Sequence, residues 1–136
     1  MVGVRLTELG REGIVAHIDK DINMIPGMHY NWELKRLGKL IRPATIYEVT
    51  EEEALYNFYY QLLVGDATDN IKGVRGLGPV GASKFLSQYV DEPTRYREIL
   101  DLFSCKEELD LNAKVLWIWR KINDDVTERW KEFGMD

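Results

Sequence analysis

The sequence predicts an α/β fold that passes into an all-α end, on three observations. A continuous apolar run of strand length, Ile14-Val15-Ala16-His17-Ile18, ends in Asp19-Lys20-Asp21. Such runs suit a strand buried on both faces of a parallel sheet. Thr50 and Glu53 form a capping box ahead of a segment whose apolar residues recur at helical spacing. Beyond it the chain alternates turns, prolines and helical patterns to its end.

Taken in order, residues 4 to 10 read as the end of a helix stopped by Gly10. The apolar run 14–18 follows as a strand, then a Pro26-Gly27 turn and a short strand from Met28 to Trp32. Lys39 to Val49 is extended but interrupted by Pro43, which suits a hairpin or an edge. The capped helix runs from Glu51 to Val64, with Ala54, Leu55, Phe58, Tyr59, Leu62 and Leu63 on its apolar face, and Gly65 stops it. Residues 66–81 are glycine-rich, and Pro79 opens a helix to about Tyr89. Further helices are expected from Pro93 to Phe103, Lys106 to Ile122 and Val126 to Phe133. Three strands followed by helices is too little sheet for a doubly wound fold standing alone. That order predicts a preceding segment.

Composition narrows the class. The 136 residues are 45% apolar and 30% charged, as in globular domains, with no apolar run long enough to cross a membrane. The first ten residues lack a secretory pattern, and the single cysteine, Cys105, has no internal partner, so a cytoplasmic setting is expected. A net charge of −5 argues only weakly against nucleic acid, because binding needs a local basic stripe.

Four acidic residues stand beside turns. Asp19 and Asp21 leave a strand end on the same side if the extended geometry continues. Carboxyl ends of strands are where open α/β sheets place ligands. As a tripeptide alone, Asp-Lys-Asp is better explained as a solvated turn. Asp66 and Asp69, three apart, fall on one side of a helical turn, although a helix stop with an Asx turn explains them as well. The segment Ile71 to Leu86 contains Gly76-Leu77-Gly78-Pro79-Val80-Gly81 and opens a helix. Glycines allow close backbone approach, and the helix start offers free N–H groups to a phosphate. Lys72, Arg75 and Lys84 add local positive charge, and Leu77 plugs the turn. His17 and His29 read as core or rim, and the Lys35-Arg36-Lys39-Arg42 cluster as a solvated hairpin or a DNA neighbour. Trp117, Trp119, Trp130 and Phe133, and likewise Tyr56, Tyr59 and Tyr60, read as core.

Asp19-Lys20-Asp21-Ile22-Asn23-Met24-Ile25-Pro26-Gly27 resembles the Asp-Lys-Asp-Leu segment of the 5′ nuclease family. Gly65-Asp66-Ala67-Thr68-Asp69-Asn70-Ile71-Lys72-Gly73-Val74-Arg75-Gly76-Leu77-Gly78-Pro79 resembles that family's Gly-Asp-x-x-Asp-Asn-x-x-Gly-Val-x-Gly-Ile-Gly-Pro. The family includes the 5′ nuclease domain of bacterial DNA polymerase I, the flap endonucleases and the exonucleases of tailed phages. The likeness covers residues 13 to 90, with both motifs in order, and Met28 to Trp32 looks most like the phage branch.

The resemblance implies the C-terminal part of a Rossmann-like (PIN-like) nuclease core. Residues 1–49 would hold its last strands, 50–90 a helix–three-turn–helix (helix-hairpin-helix) motif, and 91–136 the C-terminal helices. Asp19, Asp21, Asp66 and Asp69 would be ligands of a two-metal Mg²⁺ or Mn²⁺ site. Backbone carbonyls of Leu63, Val64, Lys72, Val74 and Leu77 would hold K⁺. Lys72, Arg75, Gly76, Leu77, Gly78, Pro79, Val80, Gly81 and Lys84 would contact DNA. The family's first Asp, its Glu-Ala-Asp-Asp cluster and its helical arch have no counterpart here. A 5′→3′ exonuclease or flap endonuclease whose N-terminal half is supplied covalently or in trans is therefore expected, with little activity in the isolated chain. A non-catalytic binder of duplex or branched DNA, and an interaction scaffold, stand as alternatives. Four carboxylates beside a phosphate path favour the nuclease, since they repel DNA unless metal neutralises them.

Overall fold

Val4 and Leu6 are buried in the first helix, α1 (Val2–Leu9), in a computed structural model that describes residues 1–134. Gly10, at φ 57, ends α1 in a conformation that costs other residues. A 3-10 turn over Gly10–Glu12 then leads into β1 (Ile14–Ala16).

The chain folds as two units, Met1–Leu55 with Ile118–Asp124, and Tyr56–Trp117 with the described residues from Asp125 on. In the first, a three-stranded sheet has the order β1-β2-β5, with β2 at Gly27–Asn31 and β5 at Thr45–Val49. β1 runs parallel to β2 in the register Val15↔His29 and Ala16↔Tyr30, and β2 pairs antiparallel with β5. β3 (Leu34–Arg36) and β4 (Lys39–Arg42) form a separate hairpin, with Leu37 and Gly38 in left-handed conformations at its turn. Pro43 falls between β4 and β5, where its missing donor costs no ladder bond.

The expectation of a strand buried on both faces needs correction. Ile14 is 56% exposed and Ile18 39%, because β1 is an edge strand with β2 as its one hydrogen-bonded neighbour among the described residues. Burial in this unit falls instead on Val4, Leu6, Met24, Ile25, Val49 and Ala54.

α2 (Glu51–Val64) begins in the first unit and continues in the second. Thr50 caps it as the sequence predicts, while the Glu53 side chain closes the box on the Thr50 hydroxyl, not on its backbone N–H. Glu53 N–H donates to Thr50 Oγ1 at 3.1 Å, and the Thr50 hydroxyl donates to Glu53 Oε1 at 3.0 Å. Near it, Arg120 holds Glu51 with a fork of 2.7 and 2.8 Å, and its backbone N–H donates to Asp124 Oδ2 at 2.9 Å.

The second unit adds β6 (Gly65–Asp66), β7 (Ile71–Lys72) and four helices, α3 (Pro79–Gln88), α4 (Glu92–Leu102), α5 (Lys106–Leu116) and α6 (Val126–Lys131). Asp91 caps α4 through the Thr94 N–H, and Asp125 caps α6 through the Thr127 N–H. The Thr94 and Thr127 hydroxyls also donate to these carboxylates at 2.8 Å, and those bonds first, with the backbone caps adding to them, hold both carboxyls below their ordinary pKa. The helix expected over 106–122 stops at Leu116. Trp117 turns to an extended conformation (ψ 125), packing edge-on against Phe58 at 4.9 Å, so tertiary burial overrides local propensity.

A buried polar group organises this unit. Tyr59 donates to Glu92 Oε2 at 2.6 Å and accepts from Trp130 Nε1 at 3.0 Å, while Arg129 grips Glu92 at 2.7 and 2.9 Å. Burial first, then the Glu92 charge, pushes the Tyr59 phenol well above its ordinary pKa, so it stays a donor.

Candidate metal centre and nucleic-acid interface

The extended geometry ends at Asp19 (φ −95, ψ 119) and does not reach Asp21. Asp19 caps a 3-10 turn over Lys20–Met24, and its Oδ1 accepts the Asp21 N–H at 2.9 Å. The strand-alternation argument for Asp19 and Asp21 therefore fails. A capped turn brings them onto one loop instead, and Asp19 has its second oxygen left over.

Below that loop lies a buried polar chain that the sequence reading missed. The Asp19 N–H donates to His17 Nδ1 at 3.2 Å, His17 Nε2 meets His29 Nδ1 at 2.8 Å, and His29 Nε2 meets the Ile25 carbonyl at 2.8 Å. Tyr47 stacks on His29 with centroids 5.3 Å apart, and its hydroxyl donates to Asn23 Oδ1 at 2.6 Å. Both imidazoles are buried. Burial lowers the His29 pKa from its ordinary 6.5, the neighbouring His17 adds to that, and the bond to Ile25 opposes it. The His17–His29 contact comes from the parallel pairing of two short strands, in which His29 pairs with Val15, two residues before His17. Neither spacing nor composition reveals it.

Asp66 and Asp69 stand on a second loop, in the other unit. The helical turn expected for them is absent. Asp66 lies in β6, paired with Ile71, and the chain turns back through residues 67–70 with Asn70 at φ 57. Asp66 Oδ1 accepts the Thr68 N–H at 3.0 Å, the Asx-type turn that the sequence also allowed. Gly65, at φ 78, and Gly73 make the close crossing possible. A Cβ on Gly65 would strike Gly73 N and Ile71 O, and one on Gly73 would strike Leu63 O and Gly65 N.

The glycine hairpin follows. Val74 N–H donates to the Leu63 carbonyl at 2.8 Å, and Leu77 N–H to the Val74 carbonyl at 3.1 Å. Asn112, forty residues on in α5, donates to the Lys72 carbonyl at 2.9 Å. The carbonyls of Leu63, Lys72 and Val74, three of the five expected to bind a cation, thus each accept a hydrogen bond within the protein. Gly76, at φ 79, makes the turn. Gly78 caps α3 in an ordinary extended conformation (φ −97), and Pro79 takes the first helical position. A Cβ at Gly76 or Gly78 would meet nothing within 4 Å. Pro79 and Val80 are exposed, Val80 at 83%. Leu77 is half-buried against Gly81. Lys72, Arg75 and Lys84 are exposed, and the first two line a cleft of about 630 Å³ with Asn70, Phe103, Ser104 and Glu108.

What this arrangement offers chemically is carboxylate oxygen on two loops and an open backbone turn at a ten-residue helix's start. Asp19 and Asp66 each spend one oxygen on a turn amide and have another to give. On either loop, a carboxylate oxygen is a donor that suits hard divalent ions. No helix among the described residues is long and apolar enough to cross a membrane. No protein-family model matches the chain, and no solved structure matches it.

Proposed function

We propose that this chain is the C-terminal portion of a divalent-metal-dependent 5′→3′ exonuclease or flap endonuclease acting on DNA. It would supply part of a two-metal site and the turn that grips the duplex. The observation that carries the reading is the joint presence of two motifs in one order and separation, Asp19-Lys20-Asp21 and Gly65 to Pro79, the second opening α3 through an unobstructed glycine turn. Asp19, Asp21, Asp66 and Asp69 would hold Mg²⁺ or Mn²⁺, with further ligands from an N-terminal half. The bound ions would lower the pKa of a water and stabilise the leaving oxygen. The chain's own part is to orient these carboxylates and to hold a phosphate at Gly76 to Gly81 by backbone N–H groups, with Lys72, Arg75 and Lys84 adding charge. K⁺ on the carbonyls around Leu63 to Leu77 would bridge that turn to the DNA.

The experiment is a Mn²⁺ titration of the full chain followed by electron paramagnetic resonance, paired with anisotropy of a labelled duplex. We expect a Mn²⁺ site that Asp66→Asn weakens at least about ten-fold, weak sequence-independent duplex binding, and little or no cleavage of 5′-flap DNA. Duplex binding without a Mn²⁺ site would move the chain to a non-catalytic DNA-binding module. Absence of both would leave an interaction scaffold.

A further inference from the structure

The buried histidines assign a role to residues that no ligand set includes. Each hydrogen bond in the chain constrains the next. His29 Nε2 faces the Ile25 carbonyl at 2.8 Å and must carry a proton, since two acceptors would repel. With Asp19 N–H donating to His17 Nδ1 at 3.2 Å, that nitrogen must present a lone pair. The 2.8 Å contact between His17 Nε2 and His29 Nδ1 is then satisfied when His17 donates and His29 accepts. One arrangement meets all three contacts, namely two neutral rings, each protonated on Nε2. The order runs from Asp19 N–H through both rings to the Ile25 carbonyl. The rings are fixed from outside by Tyr47, stacked on His29 and hydrogen-bonded to Asn23.

We propose that His17 and His29 are positioning residues for the Asp19–Asp21 turn. His17 holds the Asp19 amide, and Asp19 Oδ1 in turn holds the Asp21 N–H at 2.9 Å. The orientation of both carboxylates is thereby referred to the Ile25 backbone in the core. Buried partners of this kind orient metal ligands and typically change metal affinity ten- to a hundred-fold when lost. The role rests on the reading of Asp19 and Asp21 as metal ligands. A purely structural pair of core histidines would contribute stability and leave the turn's affinity for metal alone.

Two substitutions at position 17 separate these. An Asn places an oxygen near where Nδ1 stands, so His17→Asn keeps an acceptor for the Asp19 amide and loses the contact to His29. A Gln reaches toward the Nε2 position, so His17→Gln keeps a partner for His29 and abandons the amide. Both lose one buried hydrogen bond, so melting temperatures of the two should be similar. In the full chain, Mn²⁺ titration by electron paramagnetic resonance should show His17→Gln weakened about ten-fold and His17→Asn restored to within a factor of about three of wild type. Amide hydrogen exchange followed by nuclear magnetic resonance should show protection of Asp19 lost in His17→Gln and retained in His17→Asn, without any metal present. Equal Mn²⁺ affinity in His17→Gln and wild type, in a protein where Asp66→Asn does lose the ion, overturns the positioning role alone. Unchanged Asp19 exchange in His17→Gln overturns it too. No Mn²⁺ site in the wild-type chain overturns the metal reading, and this inference with it.

Discussion

Asp19 and Asp21 stand on a loop held by side chains, whereas Asp66 and Asp69 stand on one held by its own backbone. Below the first lie two imidazoles and a stacked tyrosine, joined by contacts of 2.8 Å to a core carbonyl. Around the second, Gly65 and Gly73 cross so closely that neither tolerates a Cβ, and the Leu63 carbonyl takes the Val74 N–H. A backbone-held loop resists small disturbances and fails outright when a glycine is replaced. A side-chain-held loop fails by degrees and depends on protonation.

The sharpest break is therefore in the second loop. Gly73→Val should cost about 3–5 kcal/mol, in the range of the most damaging substitutions, because the new side chain meets backbone atoms of Leu63 and Gly65 that have nowhere to go. Gly76→Ala makes the control. That position is left-handed but open, so the cost should be about 1 kcal/mol of backbone strain. Urea unfolding of both variants measures the difference, and equal losses would show that the crossing is more pliable than its geometry implies.

This contrast also explains what was legible in the sequence. The glycine hairpin was readable because its causes are local. Gly65, Gly73 and Pro79 sit at the turns they make, and the Thr50–Glu53 box and the α2 boundaries follow for the same reason. The His17–His29 pair was not readable, because its cause is the pairing of β1 with β2, and Asn112 reaches Lys72 across forty residues. Polar side chains competed with regular structure at both loops: Asp19 caps a 3-10 turn where the strand was expected to continue, and Asp66 ties down the Asx turn that the sequence had offered beside a helical turn. Gly78, at the start of α3, has an ordinary extended backbone. The positive φ belongs to Gly76.

In the first loop, His29→Leu should cost about 2–3 kcal/mol, since the Ile25 carbonyl and the His17 ring are left buried without their partner. His29→Leu should also remove a pH dependence. The folded pKa of His29 lies below its unfolded value of 6.5, mainly through burial, so the unfolded chain binds the proton more readily. Stability contributed by neutral His29 is present above pH 6.5 and is lost as pH falls from there through the folded pKa. The slope within that window approaches about 1.4 kcal/mol per pH unit for one proton. Chemical denaturation at a series of pH values from neutral to mildly acidic should show this slope in wild type and its loss in His29→Leu. A flat wild-type profile would mean that the pair tolerates charge.

The smallest effects test the α3 turn as a DNA contact. Gly78 has an extended backbone and open surroundings, and it occupies the capping position of α3. Serine is a favoured cap, so Gly78→Ser should leave stability unchanged within about 0.5 kcal/mol. Any loss of duplex affinity in that variant then reports only the side chain standing where a phosphate approaches. Lys84→Ala, six residues on in α3 and exposed, should lower affinity for every duplex sequence alike, by about three-fold at moderate salt, and flatten the plot of log K against log salt by about one unit. The two substitutions differ in what salt does to them. The serine's effect is steric and should persist across the salt range, whereas the lysine's is a counterion effect and should fade as salt rises. If both losses fade together, the turn is a site of diffuse electrostatic attraction without close backbone approach. If neither variant loses affinity, the duplex lies elsewhere on the molecule.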